Sequence, residues 1–133
     1  MDHPTRIQAE VFSYYAYYHD FLIAAQTGSG KTLAFAAPII SELQYLKENF
    51  GLEHFPRKIL GLILTPTREL AQQIEKNIIL ALESLNSQIP VESQLTVSCI
   101  IGGISKEKQL RILTQHRPQI IIGTPGRLHE LLD

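Results

Sequence analysis

Residues 25 to 32, Ala25-Gln26-Thr27-Gly28-Ser29-Gly30-Lys31-Thr32, carry the residue types that hold a triphosphate. Gly28 and Gly30 permit backbone angles that turn consecutive N–H groups toward one point, and a helix starting at Lys31 adds the positive end of its dipole. Lys31 supplies a charge for the β- and γ-phosphates, and the Thr32 hydroxyl is a ligand type for Mg²⁺. The general pattern has Gly at the first position, where this chain has Ala25. Context separates this chemistry from an ordinary Gly-rich turn. The apolar run Phe21-Leu22-Ile23-Ala24 precedes the loop, and Leu33, Ala37, Ile40 and Leu43 follow it in a helical pattern. Strand, small-residue loop and helix start predict a nucleoside triphosphate site.

Anion chemistry of a second kind lies further on. Pro66-Thr67-Arg68-Glu69-Leu70 follows an apolar run and opens a helical pattern. Thr67 can cap, Glu69 suits the first turn, and the free N–H groups can meet a phosphate. Thr124-Pro125-Gly126-Arg127 repeats the device, with a capping Thr and Pro at the first helical position. An Arg near a helix N-terminus opposes the dipole, so Arg68 and Arg127 point to an external anion. Gly102-Gly103 marks a turn after a third apolar run. Singly, each is an ordinary turn or capped helix start. Jointly they describe a row of anion sites.

These turns need elements to position them. The pattern predicts a helix over residues 7 to 18 that packs a tyrosine cluster (Tyr14, Tyr15, Tyr17, Tyr18), a strand at Phe21–Ala25, and a helix over Lys31–Asn49 kinked or strained at Pro38. A polar loop, Phe50–Lys58, leads to a buried strand, Ile59–Leu64. Thr65-Pro66-Thr67 then opens a helix whose apolar positions are Leu70, Ile74, Ile78, Ala81 and Leu85. After a connection at Gln88–Glu92 come a strand at Leu95–Ile101, a helix at Ser105–Gln115, a strand at Gln119–Ile122 and a helix opened by Thr124-Pro125-Gly126. Strand and helix alternate with short links, which predicts an α/β fold on a parallel sheet. Ligands of such sheets gather at the carboxyl ends of the strands, where all of these turns fall.

The 133 residues suit one domain with a core, at 44% hydrophobic and 19% charged. A formal net charge of −1 excludes a global basic field, so contact with nucleic acid must be local. Cys99 lies in the apolar run Val97–Ile101 and is expected as a buried thiol; one cysteine forms no internal disulfide. No apolar run reaches membrane-spanning length, and the start does not look like a signal peptide, so a soluble intracellular protein is expected. His3, His19, His54, His116 and His129 have no metal-ligand spacing, and no nucleophile–base arrangement suggests itself.

Together these stretches resemble the amino-terminal RecA-like domain of DEAD-box ATP-dependent RNA helicases, a parallel-sheet P-loop NTPase fold. Pro4-Thr5-Arg6-Ile7-Gln8 resembles the family's Q motif, and Ala25–Thr32 its phosphate loop. Pro66–Leu70 resembles motif Ia, Gly102-Gly103 the glycine doublet, and Thr124–Arg127 motif Ib. Between Gln8 and Asp20 the family has an Ile-Pro pair and a Gly where this chain has Phe12, Ser13 and Tyr18. The resemblance implies ATP and Mg²⁺ as cofactors and RNA as partner, with no membrane. Gln8 would read the adenine edge, Thr5 would position the nucleotide, and Gln26, Thr27, Gly28, Ser29, Gly30, Lys31 and Thr32 would wrap its phosphates, Thr32 with Mg²⁺. Pro66, Thr67, Arg68, Gly102, Gly103, Thr124, Pro125, Gly126 and Arg127 would line the RNA backbone, independently of sequence.

These residues contain no Asp-Glu-Ala-Asp or Ser-Ala-Thr motif and no second RecA-like domain. Residues 1–133 are therefore expected to be a partial domain that does not hydrolyse ATP alone and is marginally folded or oligomeric. The alternatives are a non-catalytic nucleotide- or RNA-binding module, and a P-loop enzyme of different chemistry. The latter requires the other motifs to be coincidence.

Overall fold

The computed structural model describes residues 3–15, 20–54 and 58–132. Tyr17, Tyr18, His19, residues 55–57 of the predicted loop and Asp133 lie outside the described residues. The chain forms two compact units, Met1–Leu46 and Lys47–Asp133.

In the first unit, α1 spans Arg6–Tyr14, begun by Thr5 through a reciprocal capping box with Gln8. It ends earlier than the pattern predicts. Tyr14 is exposed rather than packed, and Tyr15 Oη reaches Ser41 Oγ at 3.5 Å. The predicted strand at Phe21–Ala25 is absent; residues 20–26 carry no regular structure, and Leu22 is 99% exposed. A strand is held by ladder bonds to a neighbour, and among the described residues this segment has none. The glycine loop follows, then α2 over Lys31–His54, of which the part up to Leu46 belongs to this unit. The helix runs through Pro38 in helical angles and breaks at Gly51 instead, at φ 74°. Glycine reaches that left-handed region at little cost, so the chain turns there.

The second unit is built on three parallel strands, β1 (Gly61–Leu64), β2 (Val97–Ile100) and β3 (Ile120–Gly123), in the order β1-β3-β2. β1 and β2 are shorter than their apolar runs, and β3 is shifted one residue from the predicted Gln119–Ile122. β3 is central and wholly buried, as its unbroken Ile120-Ile121-Ile122 run requires. β1 has a single neighbour, and only its Gly61/Ile63 side is covered. Leu62 and Leu64 stay more than half exposed, correcting the expected buried strand.

Helix α3 (Arg68–Asn86) packs on β2 and β3. Its buried stripe is Ala71, Ile74, Ile78 and Leu82, displaced from the predicted one: Leu70 is exposed and Leu85 half-buried. Burying Ile74, Ile78 and Leu82 contributes roughly 1.5–3 kcal/mol each. A short 3₁₀ turn, Val91–Ser93, interrupts the next connection. Helix α4 (Lys106–Arg111), capped by Ser105, widens into a π turn at Ile112–His116, and α5 (Pro125–Leu132) follows β3.

Candidate nucleotide and nucleic-acid sites

In the first unit the capping box becomes part of a site. Thr5 N–H donates to Gln8 Oε1 at 3.0 Å, and Gln8 N–H donates to Thr5 Oγ1 at 3.4 Å. Gln8, only 3% exposed, then donates from Nε2 to Gly30 O at 3.1 Å, which fastens the start of α1 to the glycine loop. An amide has two donors and two acceptor lone pairs. One of each is used here and one of each remains, as reading an adenine edge needs.

The loop has the predicted backbone. Gly28 and Gly30 lie at φ 80° and 89°. A Cβ at Gly30 would come within 2.5 Å of Gln8 Nε2, whereas nothing lies within 4 Å of one at Gly28. Position 30 therefore needs glycine twice over, for its angle and for the approach of Gln8. Ser29 donates to Gln26 O from Oγ and N, at 2.5 and 3.2 Å, and Lys31 Nζ donates to Ala25 O. Thr27 lies in the turn, and Thr32 is the second residue of α2, half-buried. A pocket of about 530 Å³ opens here, lined in part by Thr5, Ala25, Gln26 and Ser29. The donors fit a triphosphate: a nest of N–H groups, one ammonium and one hydroxyl at a helix start.

In the second unit, strand register gathers the other predicted residues. Leu64, Gly123 and Ile100 lie side by side, so the chain leaves all three strands at one end. Thr65 N–H donates to Gly123 O at 3.0 Å and Thr124 N–H to Ile100 O at 3.4 Å, joining the three exits. Buried Thr65 also donates from Oγ1 to Thr67 O at 3.0 Å, pinning the turn ahead of α3. Thr67 Oγ1 accepts from Leu70 N–H at 3.2 Å as the predicted cap. Gly123 is needed for contact: a Cβ there would sit 2.8 Å from Ile100 O and from Leu128 Cδ1.

The result is a polar cleft of about 620 Å³, lined by Pro66, Thr67, Arg68 and Glu69, by Gly102, and by Thr124, Pro125, Gly126, Arg127 and Glu130. Arg68 is exposed and packs its guanidinium over Gly102 and Gly103. Gly103, at φ 85°, sits just beyond the lining. Arg127 turns inward, to Ile104 O and Gln109 Oε1. Sequence reasoning missed Gln109, Glu130 and Thr65. A signal existed for Gln109: Ser105–Leu110 offers one apolar residue, Leu110, so the inward side had to be polar.

Cys99 stands apart, half-buried on the edge strand β2 rather than in the core. Burial, and secondly the Glu75 carboxylate, push its thiol up to about 11. Burial raises Glu75 as well, opposed by a backbone hydrogen bond from Cys99. Among the described residues no His, Cys, Asp or Glu cluster could hold a metal, and no helix is long and apolar enough to cross a membrane.

The DEAD/DEAH box helicase family model matches residues 5–133. The chain belongs to that family. It is 42% identical over 130 residues to the ATP-dependent rRNA helicase RRP3 of Saccharomyces cerevisiae, covering 98% of this chain and 22% of the relative. It is equally 42% identical to the probable ATP-dependent RNA helicase DDX47 of Homo sapiens, with 98% and 25% covered. The chain thus spans about a quarter of the length of these relatives. Among solved structures, the yeast DEAD-box splicing factor Prp28 matches with a TM-score of 0.80 and 33% identity, covering 99% of this chain and 29% of Prp28. The DEAD-box helicase Mss116 bound to single-stranded RNA and UDP-BeF matches with a TM-score of 0.77 and 27% identity, covering 97% and 24%. The fold of this DEAD/DEAH-box chain is therefore the parallel-sheet, RecA-like kind. Its glycine loop stands beside α1, and its three turns stand at the strand ends.

Proposed function

We propose that this chain is the ATP- and RNA-binding part of an ATP-dependent RNA helicase, and that residues 1–133 belong to its amino-terminal RecA-like domain. The convergence of three strand exits on one polar cleft carries the reading. In it, Pro66, Thr67, Arg68, Gly102, Gly103, Thr124, Pro125, Gly126 and Arg127 form the RNA-facing wall. Backbone contacts carry no base information, so binding is sequence-independent and any duplex is opened locally. ATP is held by Gln26 to Thr32, with Lys31 on its phosphates, Thr32 on Mg²⁺, and Thr5 and Gln8 at the base. ATP hydrolysis supplies the free energy, and it needs carboxylates to hold Mg²⁺ and orient water. These 133 residues contain no Asp-Glu-Ala-Asp to provide them, so by themselves they bind without hydrolysing. RNA and ATP as ligands place the work inside the cell. Relatives named ATP-dependent RNA helicases support the reading.

Nucleotide choice tests it. The spare donor and acceptor of Gln8 match N7 and N6 of adenine, while guanine presents O6 in place of the N6 donor. In the full-length gene product, ATP should bind in preference to GTP, and RNA should stimulate hydrolysis. Equal affinity for the two nucleotides, unchanged by Gln8→Ala, would remove the adenine reading. Turnover indifferent to RNA would remove the helicase.

A further inference from the structure

Arg68 and Arg127 look equivalent in sequence, each in the first turn of a helix that follows a strand, yet their surroundings differ. We propose that Arg127, although it lines the cleft, is a positioning residue that holds the Gly102-Gly103 turn in shape beneath Arg68, the cation already assigned to phosphate. The proposal rests on reading the cleft as an RNA site and divides the labour within it.

Arg127 is committed inward. Its side chain is 13% exposed, and Nη1 donates to Ile104 O at 2.6 Å and to Gln109 Oε1 at 2.9 Å. Its Nε lies 3.2 Å from Glu130 Oε2, an ion pair without hydrogen-bond alignment. Gln109, 0% exposed, donates onward from Nε2 to Ile101 O at 2.8 Å. Arg127 and Gln109 therefore grip the carbonyls of Ile101 and Ile104, which flank the glycine doublet. Glu130 offsets the charge of Arg127 locally, and Lys106 shares that carboxylate at 3.6 Å. A Lys here would have the charge but only one nitrogen, whereas Arg127 meets Ile104 O and Gln109 Oε1 from Nη1 while its Nε stands beside Glu130.

Arg68 is the opposite case. It is exposed, and among the described residues no hydrogen bond or ion pair engages its guanidinium. Its five donors are free, in a fork that suits a phosphate. It rests on the same doublet: a Cβ at Gly102 would lie 2.5 Å from its Nη2, and one at Gly103 3.1 Å from its Nη1. The floor under Arg68 is thus the turn that Arg127 and Gln109 hold.

The test uses the full-length gene product with ATP, Mg²⁺ and a fluorescently labelled single-stranded RNA, titrated at several salt concentrations. Arg68→Ala should reduce the slope of log affinity against log salt by about one, as loss of one phosphate contact requires. Arg127→Ala should weaken binding roughly tenfold along a line parallel to wild type, since only geometry is lost. Arg127→Lys should rescue nothing, and Gln109→Leu should reproduce the loss with little added in the double variant. A slope that falls with Arg127→Ala and returns with Arg127→Lys makes Arg127 a phosphate contact and overturns the proposal.

Thermal unfolding without RNA provides an independent arm. The shifts of Arg127→Ala and Gln109→Leu should be non-additive, and simple addition refutes the positioning role whatever the cleft binds. If Arg68→Ala changes neither affinity nor slope, the phosphate role of Arg68 and the RNA reading of the cleft both fail. The unfolding cycle then still decides Arg127.

Discussion

Replacing Gly30 by Ala tests how the loop and α1 depend on each other. The substitution acts twice. An L-residue at φ 89° is strained, at a cost of about 1–2 kcal/mol. Its Cβ would also stand 2.5 Å from Gln8 Nε2 and 3.1 Å from Thr5 Oγ1, so Gln8 must withdraw and its bond to Gly30 O breaks. Losing that bond adds about 1 kcal/mol, for a total of roughly 2–3 kcal/mol. For a chain of this size the melting temperature should fall by roughly 8–12 °C. Gly28→Ala is the control. Its φ is 80° but nothing lies within 4 Å of the new Cβ, so only the strain applies, and the fall should be about half as large. The decisive measurement is a thermal cycle with Gln8→Ala, which removes the nearest crowding group and leaves Thr5 Oγ1 at 3.1 Å. In that background Gly30→Ala should cost clearly less than in wild type and approach the cost of Gly28→Ala. Equal losses at positions 28 and 30, or a cycle that closes additively, would refute the steric link between Gln8 and the loop.

Thr67→Ala removes the Thr67 Oγ1 cap on Leu70 N–H and should destabilise by about 1 kcal/mol in chemical denaturation, while Thr67→Ser should not. Gly102→Ala meets only the flexible end of Arg68, so stability should stay within about 0.5 kcal/mol while RNA affinity drops, measured by unfolding and binding on one sample. Cys99 should react slowly with a thiol reagent near neutral pH, and Glu75→Gln should speed the reaction by removing a nearby negative charge. Its folded pKa, about 11, exceeds its ordinary value of 9.0, so this group's stabilisation is complete below pH 9 and is lost as pH rises through 11. Melting temperatures across that alkaline range, compared with Cys99→Ala, check the sign.

Much of the site was legible because its signals are local. A capping Thr before a helix, glycines that demand positive φ, and Pro at a first helical position each act within a few residues. The cap at Thr67 therefore stands where the pattern placed it, and the structure adds caps at Thr5 and Ser105. Apolar runs likewise marked β1, β2 and β3, though the runs at β1 and β2 are longer than their strands, at β2 because the flanks are buried outside the ladder. Leu95 and Ile101 are buried on either side of β2 in that way.

What failed depends on partners distant in sequence. Phe21–Ala25 has the composition of a buried strand, but composition supplies only willingness to pair; with no ladder neighbour among the described residues the segment carries no regular structure, and Phe21 and Leu22 are exposed. Pro38 removes one N–H from α2, and the helix absorbs that loss, whereas Gly51 offers the chain a different conformation and the break falls there. The same distinction separates the two arginines. From sequence alone, each has a strand behind it and a helix ahead. Only the packing of α4 against the start of α5 brings Gln109, 18 residues away, to Arg127 Nη1 and fixes which arginine is structural. A residue type at a helix start thus states what chemistry is available, and the acceptors within reach decide whether that chemistry is offered to a ligand or consumed by the fold.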